Sequence, residues 1–484
     1  MQQYLQNKKG LVDKVFNKVF DKYDLMNDFM SLGIHRIWKK DLILCLNPSI
    51  GKKLIDVACG TGDVGKLYLD ATSKDEEIFC IDPNRGMIEN GKKKLVNYKN
   101  VKWILGAAES LNVEDNFFDY YTISFGLRNV KNLDKVLSES KFIMGPEVKK
   151  LEVSLAEYTK ASYCISCSSG TDALTLSLLA LDIGRGDIVF CPSFTFPATA
   201  EAILMVGATP VFVDVGKNTY NICYKNLLNA IEKCKKEKLR IKAIMPVDLY
   251  GLPANYNKIN SIAKSFNLHV IADAAQSFGG VFRENKVGNL TEITTTSFFP
   301  AKPLGCYGDG GAIFTKSLDM KEKLESLRAH GKGKGKYDIN YKGMNARLDT
   351  IQAAVLLSKL EIFDWEVKER NRIAKIYSDE LKSSFHIPEI PEDSVSAWAQ
   401  YTIQSSKRDK VISFLKDNNI PVMIYYPKPM HQQPAYKDFL LNKDLSKSSE
   451  LSKNVFSIPI HPYLTDLEVE YIIENLKKAN NLFL

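Results

Sequence analysis

The 484-residue chain has no apolar run long enough to cross a membrane. The longest, such as Ala173 to Leu181, falls far short of the ~20 residues a spanning helix needs, so no membrane span is expected. The first ten residues, Met1-Gln-Gln-Tyr-Leu-Gln-Asn-Lys-Lys-Gly, lack the apolar stretch of a secretory leader, so none is expected. Cysteine is sparse and odd in number, nine scattered residues, which argues against a disulfide framework and fits a reducing cytoplasm. Charge of one sign is also lacking. The 65 Lys and Arg against 57 Asp and Glu leave +8, which suits anionic small molecules and does not call for nucleic acid. There is no internal repeat, no low-complexity tract and no linker rich in Pro, Gly or Ser. What is present is ordinary globular material, 45% hydrophobic and 25% charged, which excludes a disordered or fibrous chain. At roughly 100–200 residues per domain, the length predicts two to four domains.

The first part of the chain alternates helices and strands. Val12, Val15, Phe16, Val19 and Phe20 recur at helical spacing, so residues 11–38 read as helix. Lys53-Leu-Ile-Asp-Val-Ala reads as a buried strand, Gly60-Thr-Gly-Asp63 as a turn, and Val64 to Leu69 as the opening of a helix. Further strands fall at Glu77–Asp82, Val101–Leu105 and Asp119–Phe125, with a helix over Arg85–Leu95. This alternation predicts a parallel, doubly wound α/β sheet. The turn Cys59-Gly-Thr-Gly62 can approach a nucleoside closely, and Asp82, 20 residues beyond Gly62, can accept hydrogen bonds from ribose hydroxyls. The alternative is a tight turn with an aspartate at a strand end.

Tyr23-Asp-Leu-Met-Asn-Asp-Phe-Met-Ser-Leu-Gly-Ile-His-Arg-Ile-Trp38 resembles the signature of the ubiquinone/menaquinone-biosynthesis C-methyltransferases. Val57-Ala-Cys-Gly-Thr-Gly-Asp63, Ala107-Ala-Glu109 and Thr122-Ile-Ser-Phe-Gly-Leu-Arg-Asn-Val130 are similar to further stretches of that family. The resemblance implies a class I S-adenosylmethionine fold, with Gly60 and Gly62 facing the cofactor and Asp82 its ribose. It ends near residue 130, without the family's Lys-Pro-Gly-Gly turn and with four strands of a seven-stranded sheet. An open fourth strand exposes unpaired backbone groups. Residues 1–132 are therefore expected to be a truncated methyltransferase-like segment. The alternatives are a working methyltransferase, or a binding or dimerisation module.

The second part carries a different chemistry. Val148, Leu151, Leu155 and Tyr158 mark one face of a helix. Tyr163-Cys-Ile-Ser-Cys-Ser-Ser-Gly170 reads as strand then turn, with a helix from about Thr171. Gly170, Thr171 and Asp172 then sit at a helix N-terminus, where free N–H groups and the helix dipole favour an anion; the alternative is a simple N-cap. Leu268-His-Val-Ile-Ala-Asp273 reads as an apolar strand ending in a carboxylate, and Ile293 to Lys302 as a strand ending near a lysine. Strand C-terminal ends of a parallel sheet converge on one crevice. An anion site, a carboxylate and a lysine together form the set that pyridoxal phosphate requires.

Ser168-Ser-Gly-Thr-Asp-Ala173, Pro192-Ser-Phe-Thr-Phe-Pro-Ala-Thr-Ala200, Pro246-Val-Asp-Leu-Tyr-Gly251, Asp273-Ala-Ala-Gln-Ser277, Ser297-Phe-Phe-Pro-Ala-Lys-Pro-Leu-Gly305 and Gly343-Met-Asn-Ala-Arg-Leu-Asp349 are similar to the motifs of the DegT-type sugar aminotransferases. The resemblance covers essentially all of residues 133–484. It implies a fold-type I enzyme, with a large pyridoxal-phosphate domain over 133–370 and a small C-terminal α/β domain over 371–484, and usually a homodimer with shared active sites. It implies that Lys302 forms the Schiff base and shuttles the proton, and that Asp273 holds the pyridine nitrogen protonated. Gln276 would contact the ring hydroxyl and Phe196 would stack on the ring. Gly170, Thr171 and Ser297 would bind the phosphate, and Asn345 would reach the phosphate of the neighbouring subunit. Related dehydratases carry histidine in place of the lysine, so Lys302 favours transamination.

Residues 141–484 look most like relatives acting on UDP-2-acetamido-3-keto-glucuronic acid, which implies that nucleotide sugar as substrate, glutamate as amino donor and a place in surface polysaccharide biosynthesis. A uronic acid adds a carboxylate, and Arg347 is the best candidate to grip it through two parallel hydrogen bonds; the alternative is a salt bridge to Asp349 or a neighbour. Tyr425 and Tyr426 are candidates to line the sugar pocket, although relatives often carry His where Tyr425 stands. Cys164-x-x-Cys167 has redox spacing but reads as two structural thiols on a strand. His330-Gly-Lys-Gly-Lys-Gly-Lys336 reads as a flexible basic loop, either solvated or close to a nucleotide diphosphate. His461 reads as structural. No metal site is expected.

Overall fold

The computed structural model describes residues 34–73, 75–106, 117–122, 141–335, 337–439 and 444–483. The chain divides into two compact units, residues 1–140 and 141–484. Phe142 and Ile143 are tied into the second unit. Thr350 N–H donates to the Phe142 carbonyl (2.9 Å) and Ile143 bridges Asp349.

The described part of the first unit holds helices α1 (Ile34–Leu46), α2 (Asp63–Ala71) and α3 (Arg85–Lys94) and strands β1 (Leu54–Val57), β2 (Ile78–Asp82), β3 (Val101–Leu105) and β4 (Tyr120–Thr122). The helix expected over 11–38 falls mostly outside the described residues. The strands form one parallel sheet in the order β3-β2-β1-β4. Strands β1 and β2 are buried along their whole length, as central parallel strands are, so their apolar runs do not alternate. Leu54, Tyr68, Leu69 and Ile78 pack on one face, and Ile55, Val57, Phe79 and Ile81 on the other.

The second unit begins with α4 (Pro146–Thr159), whose Val148, Leu151 and Leu155 are buried. Its sheet is built from β5 (Tyr163–Cys167), β6 (Asp187–Pro192), β7 (Thr209–Val213), β8 (Arg240–Ile244), β9 (His269–Asp273), β12 (Ile293–Ser297) and β13 (Gly311–Thr315). The order is β5-β13-β12-β9-β8-β6-β7, and only β13 runs antiparallel to its neighbours. Helices α5 (Gly170–Ala180), α6 (Ala198–Met205), α7 (Tyr224–Lys236), α8 (Tyr256–Phe266) and α9 (Leu318–Leu327) flank it. A short ribbon joins β10 (Val281–Phe282), β11 (Asn285–Lys286) and β14 (Ser394–Val395).

Two more helices, α10 (Thr350–Leu360) and α11 (Phe363–Leu381), lead out of the sheet region. Helix α11 serves two cores. Its Phe363 and Val367 pack with Phe278, Phe298 and Phe314, while Ile373, Ala374, Tyr377 and Leu381 pack into a separate C-terminal core. That core joins α12 (Arg408–Asp417) and α14 (Asp466–Phe483) to the antiparallel pair β15 (Tyr401–Gln404) and β16 (Val455–Ile458), with α13 (Ser446–Asn454) preceding β16.

The strand expected to run to Lys302 stops at Ser297, five residues earlier. Its ladder ends at the Ser297–Gly311 pair. Pro300 has no N–H to continue the ladder, and Lys302 N–H turns back to the Phe299 carbonyl (2.8 Å). Lys302 is thereby carried on a loop beyond the end of the sheet.

Candidate active site

Because β5, β6, β9 and β12 are parallel, Ser168, Ser193, Asp273 and Ser297 all lie at one end of the sheet. The sequence folds into a tight cradle there. Ser169 caps α5 by accepting from Asp172 N–H (3.0 Å), and the hydroxyls of Ser168 and Ser169 both donate to Asp172 Oδ2 (2.5 and 3.0 Å). As the first residues of α5, Gly170 and Thr171 have N–H groups without an intrahelical acceptor. A Cβ at Gly170 would stand 2.7 Å from Ser297 Cβ, and one at Gly311 would stand 2.4 Å from the Ser169 carbonyl oxygen. Glycine is therefore required at both positions for α5 to reach the end of β12.

Asp273 is buried at the end of β9. Its Oδ2 accepts from Thr199 Oγ1 (2.8 Å) and its Oδ1 from Ala275 N–H (3.3 Å). Burial pushes its pKa above the ordinary carboxylate value, against the pull of Thr199, Ala275 and the Lys302 charge. Burial also lowers the pKa of Lys302, and the Asp273 carboxylate partly offsets this. The two groups feel each other's charge, so the structure brings the predicted pair together. A lysine with a depressed pKa is neutral at lower pH than a solvated one, which is what a nucleophilic amine needs.

An aromatic wall stands beside this pair. Tyr426 lies 6.1 Å from Phe194, 6.2 Å from Phe196 and 5.9 Å from Tyr425, centroid to centroid. Phe196 is 55% exposed, leaving most of its surface free to stack. Gln276 is fixed from two sides. Its Oε1 accepts from Tyr250 N–H (2.6 Å) and its Nε2 donates to the Tyr426 hydroxyl (3.3 Å). Tyr250 in turn donates its hydroxyl to the Tyr425 carbonyl. Sequence reasoning missed Thr199 and Tyr250. Both lie inside quoted motifs, but nothing in spacing shows that Thr199 turns toward Asp273 or that Tyr250 adopts a positive φ of 60°.

Other candidates stand apart. Asn345 is exposed and accepts from Arg347 Nε–H (2.9 Å). Neither touches the groups above, and Arg347 forms no ion pair with Asp349 among the described residues. The basic loop is an ordered hairpin, in which Lys332 bridges Ile339 and Gly333 N–H donates to the Asp338 carbonyl (2.7 Å); Lys336 lies outside the described residues. Cys164 and Cys167 point into different cores on opposite faces of the sheet, and burial raises both thiols, so the pair has no redox geometry. Burial lowers the pKa of His461, which sits in the turn before α14. Among the described residues no group of His, Cys, Asp and Glu could hold a metal ion.

In the first unit, Asp82 accepts from Gly60 N–H (2.9 Å) and Asn84 N–H (2.8 Å), one on each oxygen. Gly60 opens to free space, whereas the Cα of Gly62 faces the ring of Trp103, where a Cβ would stand 2.8 Å away.

The residues of the second unit fit pyridoxal phosphate. The glycine cradle leaves backbone donors for a phosphate, and a buried carboxylate and a half-buried lysine share the same sheet end. When bound, that group supplies an electron sink for bond breaking at an amino-bearing carbon. Comparison with known proteins agrees. A sequence profile of the ubiE/COQ5 methyltransferase family matches residues 2–169. A profile of the DegT/DnrJ/EryC1/StrS aminotransferase family matches residues 126–477. The chain is 42% identical over 341 residues to the UDP-2-acetamido-2-deoxy-3-oxo-D-glucuronate aminotransferase of Pseudomonas aeruginosa, covering 70% of this chain and 92% of that protein. It is 38% identical to the UDP-N-acetyl-3-dehydro-alpha-D-glucosamine 3-aminotransferase of Acidithiobacillus ferrooxidans, covering 72% and 92%. Among solved structures, an aminotransferase from Brucella abortus superposes with a TM-score of 0.71 at 47% identity, covering 72% of this chain and 94% of that one. The S. venezuelae DesV structure, in complex with a ketimine intermediate, superposes with a TM-score of 0.68 at 32% identity, covering 72% and 93%. With catalytic-type groups at the end of a matching sheet and a family profile spanning most of its length, the chain belongs to the DegT/DnrJ/EryC1/StrS aminotransferase family, whose members are pyridoxal-phosphate-dependent sugar aminotransferases.

Proposed function

We propose that the protein transfers the amino group of glutamate to the keto carbon of UDP-2-acetamido-2-deoxy-3-oxo-glucuronate, in the assembly of a surface polysaccharide. The observation that carries this reading is the 42% identity, across nearly the whole of the relative, to a protein named for that substrate. Lys302 would hold the cofactor and serve as the group that moves a proton at the substrate carbon, and Asp273 would keep the ring nitrogen charged. Phe196 would offer its face to the ring, Gln276 would meet the ring hydroxyl, and Gly170, Thr171 and Ser297 would bind the phosphate. Tyr425 and Tyr426 border the sugar. Arg347, which has no carboxylate partner among the described residues, is the cation for the uronate. Asn345 completes the site of a second copy, so the working form is a homodimer.

The test is direct. The purified chain is mixed with glutamate, pyridoxal phosphate and a panel of UDP- and dTDP-linked keto-sugars, and aminated product is followed by mass spectrometry. Amination of the UDP-3-keto-uronate ahead of the neutral sugars is expected. Preference for a dTDP-linked or neutral sugar would replace the substrate assignment.

A second reading concerns the first unit. The methyltransferase profile over residues 2–169 and the open side of Gly60 favour a nucleoside-binding remnant there. We infer that it does not methylate quinone precursors, since the sequence lacks the family's Lys-Pro-Gly-Gly turn and passes near residue 130 into the aminotransferase motifs. Titration with S-adenosylmethionine should show weak or no binding. Methyl transfer to a demethylquinol would establish a bifunctional enzyme.

A further inference from the structure

We propose that Thr195 and Thr199 form a one-way hydrogen-bond relay that holds Asp273 in its ionised form, making Thr199 a positioning residue for the aminotransferase site. The inference rests on the pyridoxal-phosphate reading above and deepens it.

The relay follows from proton counting. Thr199 Oγ1 lies 2.8 Å from Asp273 Oδ2 and 3.0 Å from Thr195 Oγ1, and all three residues are buried. A threonine hydroxyl has one proton to donate. If Thr199 donates to the carboxylate, Thr195 must donate to Thr199, and every member of the chain is satisfied. If Asp273 were protonated on Oδ2, the order would reverse. Asp273 would donate to Thr199 and Thr199 to Thr195, and the Thr195 proton would have no acceptor among the described residues. An unmet donor in a dry site is costly, and aligned donors polarise one another. A proton on Oδ1 instead would leave the order intact but turn the charge-assisted bond from Thr199 into a weaker neutral one, so in either case the relay favours the ionised carboxylate.

Placement supports the role. Thr199 is the second residue of α6, so its hydroxyl reaches Asp273 from the positive end of that helix. Thr195 and Thr199 flank Phe196, so the segment that presents the stacking ring also sets the charge beneath it. The relay acts against real opposition. Burial of Asp273 favours its neutral form. Of the titratable groups that face it, Asp248 is the carboxylate whose charge would repel it, Tyr256, Tyr426 and Cys191 are kept neutral by burial, and Lys302 is the cation that assists it. The ordinary structural reading of a threonine near a helix start is a hydroxyl bonded to the backbone of its own helix. Here the Thr199 hydroxyl meets the carboxylate instead, and the Thr195 hydroxyl meets that of Thr199.

The test compares Thr199→Val, Thr199→Ser and Thr195→Val in the full chain, each checked for an unchanged thermal transition without cofactor. Two readouts do not depend on turnover: the dissociation constant for pyridoxal phosphate, and the pH at which the cofactor–lysine chromophore loses its proton. Valine keeps the shape of Thr199 and removes its proton. A hydrogen bond to a charged group contributes roughly 1.5–3 kcal/mol, so Thr199→Val should weaken cofactor binding about ten- to a hundredfold. A ring nitrogen that has lost its charge withdraws fewer electrons, so the chromophore midpoint should move to higher pH, by about one unit for each tenfold change in the proton equilibrium. Thr199→Ser should restore both readouts, and Thr195→Val should fall between. A folded Thr199→Val protein with wild-type affinity and midpoint would overturn the relay. So would serine failing as badly as valine, which would make the methyl group the feature that matters. A wild-type chain that forms no chromophore with pyridoxal phosphate would overturn the cofactor reading and the relay with it.

Discussion

Replacing Gly170 by alanine tests the cradle at its tightest point. The new Cβ would stand 2.7 Å from Ser297 Cβ, 3.2 Å from Ser297 Oγ and 3.3 Å from Ser297 Cα. Carbon atoms pack best at about 3.5–4.0 Å, so a gap of about 1 Å must open. Neither side yields easily. Helix α5 is buried through Ala173, Leu174, Leu176 and Leu178, and Ser297 is held in the ladder opposite Gly311. Overpacking of this kind typically costs about 1–3 kcal/mol. If the strain is relieved by moving Gly170 and Thr171 off the phosphate, the cofactor dissociation constant rises by roughly five- to a hundredfold. The assay is absorbance titration of the apoprotein with pyridoxal phosphate, alongside its thermal unfolding. Ser297→Gly supplies the control, because it removes the atom that clashes. Alone it should weaken binding; combined with Gly170→Ala it should recover affinity, giving an interaction of about 1 kcal/mol or more. Strictly additive effects, or a Gly170→Ala protein that binds normally, would refute the steric reasoning.

Arg347→Lys keeps the charge and loses the two-pronged grip, so it should raise KM for the uronate far more than for a neutral 3-keto analogue; equal losses would remove the carboxylate role. Mixed Lys302→Ala and Asn345→Ala protomers should regain part of the activity that each lacks alone, and no recovery in verified heterodimers would place each site within one chain. In the first unit, burial would raise Asp63, yet Lys39 and Lys94 hold its pKa down at about 2. A carboxylate with a lowered pKa contributes stability above its unfolded value near 3.9 and loses it as pH falls. Asp63→Asn should therefore cost the first unit about 2 kcal/mol at neutral pH, with the difference fading between about pH 4 and pH 2, as read by hydrogen-exchange protection of β1 and β2. A pH-independent difference would contradict that ion-pair account.

The sequence showed most of what a parallel sheet makes local. A strand ending in Asp273 and a turn entering α5 at Gly170 are legible because strand ends and helix starts have composition signals, and parallel order carries them to one edge. What the sequence does not show depends on side-chain direction. Thr199, Tyr250 and the path from Gln276 to Tyr426 are contacts between segments 26 to 150 residues apart, and no periodicity encodes them. The strand before Lys302 is shorter than the sequence predicts because the β-favouring residues Thr294–Thr296 are followed by Phe298 and Phe299, while the backbone turns at Pro300. The cysteine pair shows the reverse case. Its spacing suggested chemistry, and strand alternation sends the two thiols to opposite cores.

One lysine, placed by the loop after β12 at the sheet end that holds the buried Asp273, is the residue expected to carry the cofactor. The most direct measurement is to load the full chain with pyridoxal phosphate, reduce it with borohydride and locate the labelled peptide by mass spectrometry. A single pyridoxyl group is expected on Lys302, absent from Lys302→Ala. Stoichiometric label on any other lysine, or none in a folded protein, would contradict it.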